Sequence, residues 1–487
     1  MRCVVLGSTG YLGVRLVSVL LAAGHEVRVM ARTPKKLDGV PWRHAVEVVQ
    51  GDVTDADKVR RALDGQQVLY YLVHSMLSAN FVDVDARGAS IVADAAAQAG
   101  LIRIVYVGGI IPEHQDLSDH LASRAEVGRL LHDSGVPTAE LRAAAIIGAG
   151  SASFEMLRYL TERLPVMVTP RWLRTQVQPI AVRDVLYYMT KAAELPADVS
   201  RAFDIGGPDT FTYTEMIRKY AAIAGLKRRI AIPVPVLTPL LSSHWVKLIT
   251  PLPRSLVSSL MESLENDVVC TEHDIANHIP DPENGLTHYE DAVELALERT
   301  RERVLTTRWS RPGGDEAPSQ PLPTDPAWAG GSLHERVSER RVDCDAETLW
   351  RVFESIGAEH GWSAAPPTWA LRGWTGRNGN GQKRSQRPRQ LHPGEALDWW
   401  RVEHVDRPRL LRLRADVSLP GRLWLELSVC ASGNGHCLFR QRVLFQPYGI
   451  VGEAFWAVST LLRDAVFAGI ARDITARASG ADTAAPS

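Results

Sequence analysis

Short β-rich, largely apolar runs alternate with longer, one-sided segments through the first third of the chain. The apolar runs fall at 3–6, 27–30, 46–49, 68–72, 104–107 and 138–141, with segments between them at 11–23, 55–63, 85–99 and 118–133. Apolar runs without alternation predict strands buried on both faces. The intervening stretches, polar on one face or rich in alanine, predict the helices that cover them. Alternation of strands and helices predicts a doubly wound, Rossmann-like α/β fold with a parallel sheet and ligands at the carboxyl ends of its strands. This first domain is read as residues 1–305. Past 151 its pattern loosens into helices, short strands and an apolar stretch at 230–264 broken by five prolines. Residues 306–332, dense in Pro, Gly and charge, predict an exposed linker. Beyond it the period changes to two. Residues 423–429 alternate apolar and polar, and a run at 437–445 pairs with them across a glycine turn. Followed by an amphipathic segment at 449–476, these runs predict a second, α+β domain over 333–476, a long helix lying over a curved antiparallel sheet. Small and polar residues at 477–487 predict a disordered tail.

Composition narrows the partners. Among 487 residues, 55 Lys and Arg face 56 Asp and Glu, a net charge of −1, so no global field points to nucleic acid or anionic membrane. The basic run Arg377, Lys383, Arg384, Arg387 and Arg389 is read as a solvated loop, and no specific nucleic acid partner is expected. Five cysteines without a CxxC pair suit a reducing cytoplasm. Gly7, Gly10 and Gly13 interrupt the apolar N-terminus too early for a signal peptide. No continuous span of ~20 apolar residues predicts a transmembrane helix. The stretch 230–264 leaves three readings open: a lid over an apolar substrate, a peripheral membrane contact, or burial between the two domains. No HExxH or Cys/His cluster predicts a metal.

Candidate chemistry begins at Gly7-Ser8-Thr9-Gly10-Tyr11-Leu12-Gly13, directly behind the first apolar run. Gly7 permits a tight turn, Gly10 lets the backbone approach a pyrophosphate, and Gly13 lets helix and strand pack closely. The spacing is GxxGxxG rather than GxGxxG. At the end of the second strand, where an acidic residue would bond a ribose 2′-hydroxyl, stands Arg32. Its planar fork suits a 2′-phosphate and favours NADP(H) over NAD(H); the competing reading is a solvated loop arginine. Asp52 and Val53 follow strand three, Asp52 placed to meet an adenine amino group or to cap the next helix. His74 and Ser75 follow strand four, where a nicotinamide ribose would lie. Tyr70 and Tyr71 at that strand's end are further candidates, sent by alternation to opposite faces.

As a set these residues, with "GDVTD" at 51–55, "YYLVHSM" at 70–76, "VYVGGI" at 105–110 and "FDIGGPDTFTYTEM" at 203–216, resemble the atypical short-chain dehydrogenase/reductases of the NmrA-like and epimerase-like kind over residues 1–300. The C-terminal part resembles a domain of unknown function that follows such reductases, itself similar to the START-like (SRPBCC) helix-grip fold that encloses apolar ligands. The resemblance implies a Tyr-x-x-x-Lys pair on the helix after strand five, with a serine just before it. Here the tyrosine slot falls on His120, the lysine slot on Arg124, and the serine slot on Gly108-Gly109-Ile110, which has no hydroxyl. The standard triad is absent. His120 and Arg124 are i and i+4 and share one helix face. An imidazole with its ordinary pKa near ~6.5 delivers a proton at neutral pH, and a guanidinium binds a ribose or a developing oxyanion. The plain alternative is a surface histidine and a salt-bridging arginine. The expected function is an NAD(P)H-dependent oxidoreductase acting on an apolar carbonyl, enone or quinone. The alternatives are a dinucleotide-binding sensor without turnover, or an apolar-ligand carrier working through the second domain.

Overall fold

The computed structural model describes the chain except residues 77–79, 113–116, 170, 234–248, 265, 306–321, 323, 327, 331–332, 356–390, 398, 432–435 and 482–487. The chain divides into two compact units, Met1–Gly331 and Ser332–Ser487.

In the first unit the apolar runs become β1 (Arg2–Leu6), β2 (Glu26–Ala31), β3 (Glu47–Gln50), β4 (Val68–Tyr71), β5 (Arg103–Gly109) and β6 (Thr138–Ala143). A seventh strand, β7 (Arg201–Ile205), completes a parallel sheet in the order β7-β6-β5-β4-β1-β2-β3. The sequence pattern misses β7 because it lies 57 residues past β6, beyond the regular alternation. Helices α1 (Tyr11–Ala22), α2 (Ala56–Leu63), α3 (Phe81–Ala99) and α4 (Asp119–His132) connect the strands, and α3 starts earlier than the apolar pattern places it. α2 and α4 are capped by Asp55 and Ser118, whose side chains accept first-turn amides. Two apolar cores form, one holding α1 and α6 (Val182–Ala192), the other the inner faces of α2, α3 and α4. Strand order reverses between β1 and β4, which opens a crevice at their carboxyl ends. A further core gathers α5 (Ala152–Arg163), α7 (Tyr213–Ile223), α8 (Arg254–Ser263) and α9 (Tyr289–Leu305).

The predicted linker is corrected in its last third. Asp325 forms two 2.9 Å bonds to the guanidinium of Arg15 on α1, and both side chains are buried. The Trp328 carbonyl accepts from the Tyr159 hydroxyl at 2.8 Å, and the Gly330 amide donates to Glu155 at 2.9 Å. Composition reads Pro and Gly as solvent-exposed chain, but one carboxylate opposite a buried guanidinium anchors this stretch. Residues 306–321 lie outside the described residues, as do the basic run at 377–389 and residues 234–248 of the apolar stretch at 230–264.

The second unit is a six-stranded antiparallel sheet. Its strands are β8 (His334–Val342), β9 (Ala396–Leu397), β10 (Trp400–Asp406), β11 (Leu410–Ala415), β12 (Gly421–Ala431) and β13 (Cys437–Pro447). The order is β8-β13-β12-β11-β10-β9, so the first strand closes against the last. Odd-numbered side chains of β12 and β13, such as Leu425, Leu427, Phe439 and Val443, enter a core shared with α10 (Ala346–Ser355). The segment expected as one long helix is two, α11 (Gly449–Val458) and α12 (Thr460–Ala481), bent by 66°. The predicted tail is corrected as well: α12 runs on through residues 477–481 because Ala478 is fully buried in that core. Among the described residues no single helix is long and apolar enough to cross a membrane.

Candidate functional site

The turn after β1 has the geometry its glycines require. Gly7 takes φ +89°, and a Cβ there would stand 2.4 Å from the Leu72 carbonyl oxygen. A Cβ on Gly13 would stand 2.3 Å from the Gly7 carbonyl oxygen, so helix and turn touch backbone to backbone. At Gly10 the only neighbour within 4 Å is the Gly7 carbonyl at 3.2 Å, which leaves open space in front of it. α1 begins behind Gly10 with no side-chain cap, so its first-turn amides stay available to an anion. A diphosphate fits this cradle. The other predicted residues of the turn divide. Ser8 is fully buried, its hydroxyl donating to the Met30 carbonyl at 3.3 Å, whereas Thr9 is half-buried. Tyr11, Leu12 and Gly13 line a cavity of about 380 Å³ together with Gly10.

Arg32 projects from the end of β2 with its side chain 79% exposed, 4.0 Å from the nearer oxygen of Asp52. Asp52 is not the cap of α2. Its other oxygen accepts from the amide and hydroxyl of Thr54, at 3.0 and 2.8 Å. The Val53 side chain is buried in the core beside α3 rather than facing a ligand.

His74, His120 and Arg124 line the same cavity as Gly10 and Tyr11. His74 leaves the end of β4, and its Nδ1 lies 2.7 Å from Oδ2 of Asp85 on α3. Its Nε2 lies 3.2 Å from Nδ1 of His120. Arg124 donates from Nε to Nε2 of His120 at 3.3 Å and from Nη1 to the Val107 carbonyl at 3.0 Å. The second oxygen of Asp85 accepts the Ser75 amide at 2.9 Å, so Ser75 serves through its backbone. Predicted from separate places in the chain, His74, His120 and Arg124 thus form one hydrogen-bonded row. Asp85, which ends that row, was missed: nothing in the spacing of a helical aspartate ties it to a histidine eleven positions earlier.

The reading of His120 as an imidazole with an ordinary pKa is corrected. It is neither a surface residue nor a ready imidazolium. It is 7% exposed, and burial, then the Arg124 guanidinium, then His74 push its pKa down to about 2. His74 is shifted down as well, by burial and then by Arg124, against the opposing pull of Asp85. A guanidinium only donates, so Nε2 of His120 is an acceptor here and the ring is neutral. Tyr70 and Tyr71 are both fully buried on opposite faces of the sheet, their hydroxyls without partners. Neither lines the cavity. The glycine in the serine slot has a steric reason: a Cβ on Gly108 would stand 2.8 Å from Oε1 of the buried Glu140.

Three comparisons bear on this site. The family described as NAD(P)H-binding matches residues 7–146, and one described only as a protein of unknown function (DUF2867) matches residues 328–470. Triphenylmethane reductase of Citrobacter sp., at 18% identity and a TM-score of 0.50, covers 61% of this chain and 100% of its own, a likeness of fold. A ceramide reductase of Caulobacter vibrioides is 30% identical over 244 residues, which are 47% of this chain and 73% of that protein. The chain belongs to the atypical short-chain dehydrogenase/reductases. Within that family it also matches a 3 beta-hydroxysteroid dehydrogenase/Delta 5-->4-isomerase of Mycobacterium tuberculosis, 34% identical over 116 residues. That match spans 22% of this chain and only 30% of the relative. As an atypical short-chain dehydrogenase/reductase the chain has an NAD(P)H-binding domain that carries the glycine turn, and the relatives named above are a reductase and a dehydrogenase/isomerase.

Proposed function

We propose that this chain is an NADPH-dependent reductase of a lipid-like carbonyl compound. One observation carries the reading: a single cavity joins the phosphate turn to the His74–His120–Arg124 row, and the rest of its wall is mostly apolar. Ile110, Met156, Leu160, Met216, Leu256 and Leu264 are among the side chains that line it. Such a wall holds a hydrocarbon body, while the few polar groups converge where a carbonyl oxygen would have to lie. The activities of the relatives named for ceramide and hydroxysteroids agree with an apolar substrate. Arg32, exposed and without an acidic neighbour on its own strand, supports NADPH through its fit to a 2′-phosphate.

The nicotinamide, when bound, supplies the hydride. The chain's own residues position the carbonyl, exclude water with the apolar wall, and deliver a proton to the oxygen from Nε2 of His120 once that nitrogen is protonated in place of the acceptor form seen in the structure. Arg124, on the same helix face, offers a donor to the developing oxyanion or to the ribose. General acid catalysis of this kind contributes about 10²–10⁴-fold.

The test is NADPH oxidation by the purified chain over long-chain ketones, oxosteroids, quinones and small polar carbonyls. Turnover confined to the apolar members, and lost when Leu160→Glu places a charge in the wall, is expected. Tight NADPH binding with no turnover on any member would instead mark a dinucleotide sensor.

A further inference from the structure

We propose that His74 stores and passes the proton delivered at His120, with Asp85 the positioning residue that orients His74 and favours its charged form, so that the row conducts one proton per turnover. The inference rests on the reductase reading above and goes on to assign the source of the proton.

The hydrogen bonds leave one arrangement of protons. Arg124 has no acceptor, so Nε2 of His120, 3.3 Å from its Nε, carries no proton. The neutral ring therefore holds its proton on Nδ1 and donates it to Nε2 of His74 at 3.2 Å. His74 in turn holds its proton on Nδ1 and donates it to Asp85 at 2.7 Å. Asp85, buried and bonded by the Ser75 amide on its other oxygen, is held in one orientation. Every donor meets an acceptor, and the row runs in one direction, from Arg124 toward Asp85.

This is the discharged form. In the charged form one further proton rests on His74, both of whose nitrogens are then protonated beside the Asp85 carboxylate, and His120 carries its proton on Nε2. On reduction the carbonyl oxygen takes the His120 Nε2 proton, the O–H bond forming as the N–H bond breaks. Nδ1 of His120 takes the Nε2 proton of His74 in the same movement. The products are an alcohol and the proton arrangement seen here, with one proton transferred and Asp85 a carboxylate throughout. In the charged form the Nε–H of Arg124 and the Nε2–H of His120 are two donors that can share one oxygen. The row recharges from solvent at His74, whose side chain is 19% exposed while that of Asp85 is 1% exposed. The other titratable and charged groups facing the pair among the described residues are Arg124 on α4, Tyr106 on β5, whose hydroxyl donates to the Arg124 carbonyl, and Tyr71 on β4 beside Asp85. Both tyrosine hydroxyls are raised above their ordinary range by burial, so they stay protonated and Asp85 alone supplies negative charge to His74.

Two measurements test the relay. Imidazole ¹⁵N spectra of the cofactor-free protein should show His74 and His120 both protonated at Nδ1, and Asp85→Asn should release His74 from that tautomer. In reduction, kcat should fall as pH rises, because the charged form is lost. Asp85→Asn removes the charge that favours protonated His74, so this limb should move at least one pH unit lower with KM for the carbonyl unchanged. His74→Gln, which keeps a side-chain hydrogen-bonding group but cannot carry the proton, should abolish the limb. An Nε2-protonated His120 in the wild type, or an equal loss of kcat at every pH in Asp85→Asn, would overturn the relay while leaving the reductase reading intact. A wild type that turns over no carbonyl overturns that reading, and the relay with it.

Discussion

At His120 burial and a neighbouring cation act in the same direction, and the consequence reaches beyond catalysis. The folded chain refuses a proton there down to about pH 2, whereas the unfolded chain accepts one near the ordinary histidine value. A depressed folded pKa means that stability is complete above about pH 6.5 and declines as pH falls below it, by about 1.4 kcal/mol per unit. Between pH 7 and pH 5 His120 therefore accounts for about 2 kcal/mol of lost stability. Urea unfolding of wild type and His120→Gln at both pH values should show that difference narrowed by about this amount in the variant. An identical pH dependence would remove the buried neutral histidine from the account. At Arg32 the expectation is affinity: a charge-assisted phosphate contact is worth about 1.5–3 kcal/mol, so Arg32→Ala should weaken NADPH about 10–150-fold and leave NADH nearly unchanged. Titration of both nucleotides by fluorescence decides it. The residues of the site were legible unevenly. His120 and Arg124 follow from helical spacing and a family resemblance, and His74 from its place after a strand. Asp85 became visible only when α3 was packed against the end of β4. The neutrality of His120 depends on burial, which spacing does not express.

Among the elements, the six strands from β1 to β6 and their helices were readable because buried parallel strands are continuously apolar and their crossovers are not. β7 was not, since its run Arg201–Ile205 follows only after the regular alternation of strand and helix has ended. The stretch 322–330 was misread for a different reason. Its composition is that of a linker, and a single side chain decides otherwise. Asp325 neutralises Arg15, which lies on α1 two residues past Gly13 and also donates to the Tyr11 carbonyl at 3.0 Å. The guanidinium stacks on the Tyr11 ring at 4.2 Å, so this strap supports the helix that presents its first-turn amides to the phosphates. Removing one partner of a buried pair leaves the other's charge uncompensated and costs about 3–5 kcal/mol. Asp325→Ala should lose that much in chemical unfolding. The double variant Arg15→Met with Asp325→Leu should recover most of it, since no buried charge remains. If the single variant is as stable as the wild type, the pair is not what holds the strap.

For the whole molecule, the division into Met1–Gly331 and Ser332–Ser487 puts the strap with the nucleotide-binding unit rather than between the units. The phosphate turn, the His74–His120–Arg124 row and the cavity they line all belong to residues 1–331. A chain ending at Gly331 should therefore fold and bind NADPH with the affinity of the full-length protein. A chain ending at Leu305 keeps every strand of the parallel sheet and every residue lining that cavity. It loses Asp325, the Trp328 carbonyl that accepts from Tyr159, and the Gly330 amide that donates to Glu155. Glu155 is fully buried, and burial raises its pKa against the pull of Arg158, so losing a donor there exposes an ill-solvated carboxylate. Together with the loss of the carboxylate opposite Arg15, the shorter chain should be less stable by about the 3–5 kcal/mol of one broken buried pair. For a unit of this size that lowers Tm by roughly 5–8 °C. NADPH binding at low temperature should weaken less than stability does, because the turn itself is intact. Thermal unfolding of the two truncated chains side by side, with nucleotide titration of each, measures both effects. Equal Tm values would return residues 322–330 to the status of a linker, and loss of NADPH binding in the chain ending at Gly331 would make the second unit part of the nucleotide site.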